Sequence, residues 1–182
     1  PVAKLVNIII YALLYADGLQ QMYSSTIIRE KKKGETQSLF DFYVEQGIEA
    51  IKKNDHKTLM LLLEHAVADF NQISIHDRKY TKIGLTVEIY LKYNNYGQAH
   101  ISEWLRSKGM EVMTPPILDF VMPYFVNTQV NIKNGLEKKT LLSRIFQSAA
   151  WKYINVRIRK SEEIMKDFRF YQPAESIFTK AE

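Results

Sequence analysis

The residues of this chain that could carry chemistry are concentrated in one short segment. Glu88 stands inside an otherwise apolar run, and Lys92 follows it by four residues. Burying an unpaired carboxylate is costly, so a buried Glu88 needs a partner, and Lys92 is placed to be one. Polar and aromatic side chains follow at once: Tyr93, Asn94 and Asn95. Three interpretations are open: a polar ligand site, a structural ion pair beside an ordinary loop, or the acid–base pair of a small enzyme.

The elements around this segment would place it at one edge of a sheet. Lys82–Leu91 is rich in Val, Ile, Leu, Thr and Tyr and predicts a strand. Ala99–Lys108 predicts a helix that Gly109 ends, and Met110–Met113 predicts a second strand. Strand, helix and strand at this spacing indicate a parallel βαβ unit. Ligands bind beyond the carboxyl ends of such strands, which predicts a site formed by residues 88–97 and 114–116, including Thr114. The free N–H groups at the start of the helix would favour an anion there.

The rest of the chain predicts helices. Apolar residues at helical spacing indicate a leading helix that ends near Gly18. Because almost every other position in this helix is apolar too, we expect it to be covered on more than one side. Thr36 could cap a second helix, and Asn54-Asp55 separates it from a third. Residues 136–168 form a long amphipathic stretch. The basic run Arg29–Lys33 predicts a solvated loop.

These elements predict an α/β fold in two parts. The first part, residues 1–78, is helical. It packs on the second part, residues 79–182, which consists of a small parallel βαβ unit and a long C-terminal helix. The βαβ unit is a Rossmann- or flavodoxin-like fragment. Two strands make a marginal sheet by themselves, and the chain begins at Pro1 without an initiator Met. Both observations favour a domain excised from a larger protein.

Composition narrows the function classes. The 182 residues carry a net charge of +5, and none is Cys, which excludes disulfides, thiolate nucleophiles and Cys-bound iron–sulfur clusters within this chain. The four histidines include no i,i+4 pair, so no helical metal site is predicted.

The positive charge permits an anionic partner, and an alternative function is a basic helical adaptor that binds nucleic acid or a protein through Lys152–Lys160.

The most apolar run, Ile8–Ala16, has nine residues, whereas a membrane span needs about 20. It therefore predicts a buried helix, and neither a membrane nor nucleic acid is the favoured partner.

Residues 83–120 resemble a stretch of the 2-hydroxyacyl-CoA dehydratase family. The similarity is closer to the large multidomain proteins known as CoA-substrate-specific enzyme activases. Upstream, Gly34-Glu35-Thr36 is similar to a Gly-Glu-Thr that opens a helix in these proteins. The residues that carry the main resemblance are Glu88, Ile89, Lys92, Asn94, Gly109, Glu111, Val112, Pro115 and Pro116.

The resemblance implies a non-catalytic segment of such a protein, with a structural or docking role and an acyl-CoA crevice near residues 92–97. In complete relatives an ATP-hydrolysing activator drives an electron from an iron–sulfur cluster, and Cys-bound clusters serve the dehydration. This chain has neither cysteines nor an ATPase phosphate loop. ATP and the iron–sulfur cluster are therefore implied only for the parent protein, with no cofactor expected here. The expected partners are the remaining domains and acyl-CoA, and the expected location is the cytoplasm.

Overall fold

Three helices form the larger part of the fold. The computed structural model describes residues 2–85, 94, 96–97, 99–118, 120 and 141–173, with the backbone alone for 141–146. The helices are α1 (Val2–Thr26), α2 (Glu35–Lys52) and α3 (His56–Gln72), which confirms a leading helix followed by a helical hairpin. Their facing sides form the main core, whose most deeply buried members are Leu19, Met22, Leu59, Leu63, Ala66 and Phe70.

Helix α1 does not end at Gly18 as expected but continues for two more turns to Thr26. Gly18 is instead a point of close approach between helices. A Cβ on it would lie 2.8 Å from Cδ1 of Leu63 on α3 and 3.2 Å from the sulfur of Met165. Glycine here is explained by packing rather than by helix termination.

The start of α2 is stabilised from outside the helix. Gly34 is the N-cap residue with φ +91°, and as a glycine it has no side chain with which to cap the helix. The carboxylate of Glu30 accepts from the backbone N–H groups of Gly34 and Thr36, each at 2.8 Å. The expectation that Thr36 caps α2 is wrong, because Thr36 is fully buried inside the first turn. At the next junction, Asp55 caps α3 by accepting from Thr58 N at 3.1 Å.

The strands form a two-stranded parallel sheet. Strand β1 (Thr81–Gly84) pairs with β2 (Met110–Met113) in the register Thr81 to Met110. Helix α4 (Ile101–Ser107) connects them, and Gly109 after it adopts φ +80°, as predicted for the residue that ends this helix. The fold is therefore mixed α/β with a helical part. Of the longer predicted strand, residues 86–91 lie outside the described residues.

Helix α5 (Leu141–Met165) covers another side of α1, as the long amphipathic stretch predicted. Ile154 of α5 packs with Ile10 and Leu14 of α1 and with Leu118 in a second, smaller core. Met165 and Phe168 join the main core. The boundary expected near residue 78 stays a prediction.

Helix α1 is more apolar than the nine-residue run Ile8–Ala16 suggested. Among the described helices it alone is long and apolar enough to cross a membrane, with a mean hydropathy of 1.6 over 18 residues, of which 39% are buried. The same helix contacts α2, α3, α5 and β2. It is therefore the central helix of the core, and its length and composition alone are weak evidence for a span.

Gly47 on α2 provides a test of this packing. A Cβ at Gly47 would collide with the ring of Tyr15, which is buried and donates from its hydroxyl to the carbonyl of Tyr43 at 2.6 Å. We expect Gly47→Ala to lower the free energy of unfolding by roughly 1–3 kcal/mol, even though Ala is the better helix former by about 1 kcal/mol. Urea denaturation followed by circular dichroism measures it.

Gly84→Ala is the matched control, because a Cβ there meets no atom within 4 Å. Equal stability of Gly47→Ala and wild type would contradict the close packing of α1 on α2.

Candidate functional site

The sequence-predicted site falls only partly on described residues. Thr114 directly follows β2, is partly buried, and therefore lies at the carboxyl edge of the sheet. Leu85 N donates to Met113 O at 3.0 Å, so the end of β1 lies at the same edge. The side chain of Asn94 accepts from Gly97 N at 3.0 Å and orders the loop locally. The other four predicted residues, Glu88, Lys92, Tyr93 and Asn95, lie outside the described residues.

The loop into α4 has a strained backbone. Ala99 and His100 both adopt positive φ, 50° and 55°, which is uncommon for residues other than glycine. For this reason α4 begins at Ile101 rather than at Ala99 and is only seven residues long. The ring Nδ1 of His100 lies 3.3 Å from Glu103 Oε1.

A buried ion pair lies toward the amino-terminal end of the sheet. The Nη2 atom of Arg29 donates to Oε2 of Glu111 at 2.6 Å, and the two side chains are 9% and 1% exposed. The other guanidinium nitrogen of Arg29 donates to the carbonyl of Ser25. Glu111 belongs to β2, whereas Arg29 follows α1, so the pair joins the sheet to the helical part. The expectation of a solvated loop is wrong for Arg29 and right for Lys31–Lys33, which are exposed.

Aromatic rings enclose this arginine. The guanidinium of Arg29 lies 4.9 Å from the ring centre of Tyr80 and 4.5 Å from that of Phe170. Arg78 lies over the same tyrosine at 4.5 Å, and Arg169 over the same phenylalanine at 5.1 Å. We call these five residues the arginine stack. Cation–π contacts of this kind are worth about 0.5–2 kcal/mol each.

Arg169 connects the arginine stack to the helical part of the fold. Its Nη2 donates to the carbonyls of Ile73 at 2.7 Å and Phe70 at 3.2 Å. Partial burial and, to a smaller extent, the positive charge of Arg29 lower the pKa of Arg169. The donors of Arg29 and Arg169 are engaged by the carboxylate of Glu111 and by backbone carbonyls, so we interpret the arginine stack as a structural junction.

The sequence contains one signal of this buried ion pair. Glu111 is a carboxylate inside the apolar strand Met110–Met113, the same signal that singled out Glu88. Its partner is 82 residues away in the chain, and no local spacing points to it. The sequence thus indicates that a buried acid needs a cation without indicating which one.

The basic face expected on α5 is partly used inside the protein. Lys152, Arg159 and Lys160 are exposed. Arg157 is not available in the same way, because its Nε donates to Asn7 Oδ1 at 3.0 Å and its guanidinium lies 3.3 Å from the ring centre of Tyr153. The three cations predicted for this face are therefore exposed, Arg157 is engaged within the protein, and the nucleic-acid alternative stays a prediction.

Two pockets open on the helical part. A shallow one of about 710 Å³ lies between the start of α2 and the end of α3, and Asp69 at its wall accepts from the hydroxyl of Tyr43 at 2.6 Å. Burial and this hydrogen bond raise the pKa of Tyr43. An apolar pocket of about 250 Å³ lies between α1 and α2. Within the described part of the chain, no three His, Asp or Glu side chains are grouped to hold a metal ion.

The chain matches no family model, no curated protein and no solved structure. Its similarity to the dehydratase and activase family therefore depends on the sequence motif alone and stays a prediction.

The ion pair can be tested by a double-mutant cycle. Removing one partner leaves a buried charge unpaired, so we expect Glu111→Gln and Arg29→Met each to lower the free energy of unfolding by about 3–5 kcal/mol. The double variant should lose less than the sum of the two losses, because no unpaired charge remains. Urea denaturation of the four proteins gives the coupling.

Lys52→Gln serves as the control, since its ion pair with Glu49 is solvent-exposed and should leave stability unchanged within error. Additive losses in the double variant would show that the two side chains are not coupled.

Proposed function

We propose that this chain is a non-catalytic domain of a protein related to CoA-substrate-specific enzyme activases and 2-hydroxyacyl-CoA dehydratases. Its role is structural or docking, and it holds an acyl-CoA crevice at the carboxyl edge of the sheet. The observation that carries the proposal is the parallel pairing of β1 with β2 across α4. That pairing supports a Rossmann- or flavodoxin-like fragment, in which ligands bind beyond the strand ends.

Three of the described residues of the family-like motif have folding roles. Gly109 takes the left-handed conformation that ends α4, and Val112 is 1% exposed in the sheet. Glu111 is held by Arg29. Glu111 and Val112 are buried and so are not available to a substrate. This supports a domain whose family-like residues serve the fold while the parent's iron–sulfur and ATP chemistry lies in other domains.

The charge distribution supports an anionic ligand at the carboxyl edge. Residues 1–80 carry 10 basic and 10 acidic side chains, whereas residues 81–182 carry 15 and 10 and hold the whole excess of +5. Coenzyme A carries several phosphate charges, and a lysine such as Lys92 would contribute a point charge toward them. Thr114 would supply a hydroxyl from the adjacent strand end.

Binding of acyl-CoA is the test. We expect isothermal titration calorimetry of the 182-residue chain to detect acetyl-CoA and a 2-hydroxyacyl-CoA, and Lys92→Gln to weaken both by about fivefold or more through loss of one charge-assisted contact. Thr114→Val should weaken binding less, since it removes a neutral hydrogen bond.

Lys152→Gln is the matched control, because this exposed lysine lies on α5 outside the proposed crevice. Absence of binding at millimolar acyl-CoA, or equal losses in Lys92→Gln and Lys152→Gln, would refute the crevice.

A further inference from the structure

The first turns of α1 carry an apolar face that no described element covers. Leu5, Val6 and Ile9 are 59%, 45% and 47% exposed. They lie on the side of the helix opposite Tyr11 and Tyr15, which point into the core. A helix that is apolar all round is expected to be covered on more than one side, so this face lacks its expected cover.

The exposed face continues onto α2. Ala12 and Ala16, one and two turns further along α1, line the apolar pocket of about 250 Å³ together with Ile48 and Ile51. These two isoleucines are themselves 45% and 38% exposed. We call the combined surface the outer apolar face: Leu5, Val6, Ile9, Ile48 and Ile51.

Lysines flank this surface on two sides. The ring of Tyr11 stacks on His56 at 4.8 Å, which places the turn between α2 and α3 beside the first turns of α1. On the other side the hydroxyl of Tyr153 donates to Asn7 at 2.7 Å, which brings α5 alongside. The exposed lysines at this end of the molecule are Lys4, Lys52, Lys53, Lys57 and Lys152.

The carboxylates of the α2–α3 turn do not balance these lysines. Glu49 is paired with Lys52 at 2.7 Å, and the Asp55 carboxylate caps α3, where its hydrogen bonds lower its pKa. Outside the Lys52–Glu49 pair, four exposed lysines, Lys4, Lys53, Lys57 and Lys152, outnumber the exposed carboxylate of Glu45, which lies one turn before Ile48 on α2. The surface therefore combines exposed aliphatic side chains with a net positive charge.

We propose that the outer apolar face is a peripheral membrane-binding surface that docks on an anionic lipid layer. Exposed aliphatic side chains with lysines around them suit the interface of an acidic membrane, with the apolar side chains among the acyl chains and the cations at acidic headgroups. Here the lysines come mostly from the elements beside α1, which itself carries Lys4 as its one basic residue. Protein interfaces have a different composition, enriched in aromatic residues and arginine and depleted in lysine. The charge and composition of the surface thus favour lipid over a protein partner, and over the expectation that no membrane is involved.

Vesicle co-sedimentation tests the surface directly. We expect the 182-residue chain to sediment with vesicles of 70% phosphatidylcholine and 30% phosphatidylglycerol and not with pure phosphatidylcholine. The combined variant Leu5→Glu and Ile9→Glu should lower the partition coefficient at least about tenfold, since two apolar contacts become charges that acidic lipid repels. Leu61→Glu is the matched control, because Leu61 is equally exposed at 54% on α3.

A second set of variants tests the contribution of the lysines to vesicle binding. Combined replacement of Lys52, Lys53 and Lys57 by Gln should weaken binding by about fivefold per lysine and reduce its sensitivity to salt. Circular dichroism confirms that each variant remains folded.

A site-specific probe distinguishes insertion from simple charge adsorption. Because the chain has no cysteine, Ile9→Cys and Leu61→Cys each give a single site for an environment-sensitive fluorophore. We expect a blue shift with anionic vesicles at position 9 and none at position 61. Failure of the folded chain to bind these vesicles, equal shifts at both positions, or a dimer that Ile9→Glu disrupts in place of lipid binding would overturn the proposal.

Discussion

The buried ion pair between Arg29 and Glu111 joins the two parts of this fold. Removing both charges from water costs several kcal/mol per ion, which only good geometry and further partners repay. Here the guanidinium has a carboxylate at 2.6 Å, a backbone carbonyl and two aromatic ring faces. The arrangement connects four pieces of chain at one point: the segment after α1, the segment before β1, β2, and the segment after α5. A two-stranded sheet is marginal alone, so its attachment through Glu111 is what the small α/β unit depends on.

The two ends of the sheet differ in what they contact. The amino-terminal end of the sheet is occupied by the arginine stack, whose polar groups serve one another and the backbone. The carboxyl edge, where Thr114 leaves β2, is the edge at which parallel sheets bind ligands. A few residues further on, the carboxylate of Asp17 on α1 accepts from the backbone N–H groups of Ile117 and Leu118. The outer apolar face of α1 lies on the helical part and does not use the sheet. The proposed acyl-CoA crevice and the proposed membrane surface can therefore be altered independently.

Periodicity and turn residues were sufficient to predict the elements. They indicated the three leading helices, the strand Met110–Met113, the glycine that ends α4 and the parallel pairing. They failed where a distant contact decides the outcome. Gly18 looked like a helix end because a glycine usually marks one, whereas here Leu63 and Met165 need the space. Thr36 looked like a cap because its hydroxyl is local, whereas Glu30 reaches the same N–H groups from outside the helix. Of the predicted site, Thr114 alone could be placed on the sheet edge, and Asn94 in the loop before α4.

Hydrogen–deuterium exchange of Glu111→Gln tests the role of the ion pair most directly. If this pair attaches the sheet to the helices, the amides of residues 81–85 and 110–113 and of the bridge between residues 29–31 and 74–76 should lose protection together. Core amides of α2 and α3 that exchange through local openings should keep theirs, because those openings leave Glu111 in place. Amides that exchange only through global unfolding should lose the roughly 3–5 kcal/mol expected from urea denaturation. Unchanged exchange in the sheet, or a loss confined to the helices, would contradict the view that Arg29 and Glu111 form the junction between two parts of the fold.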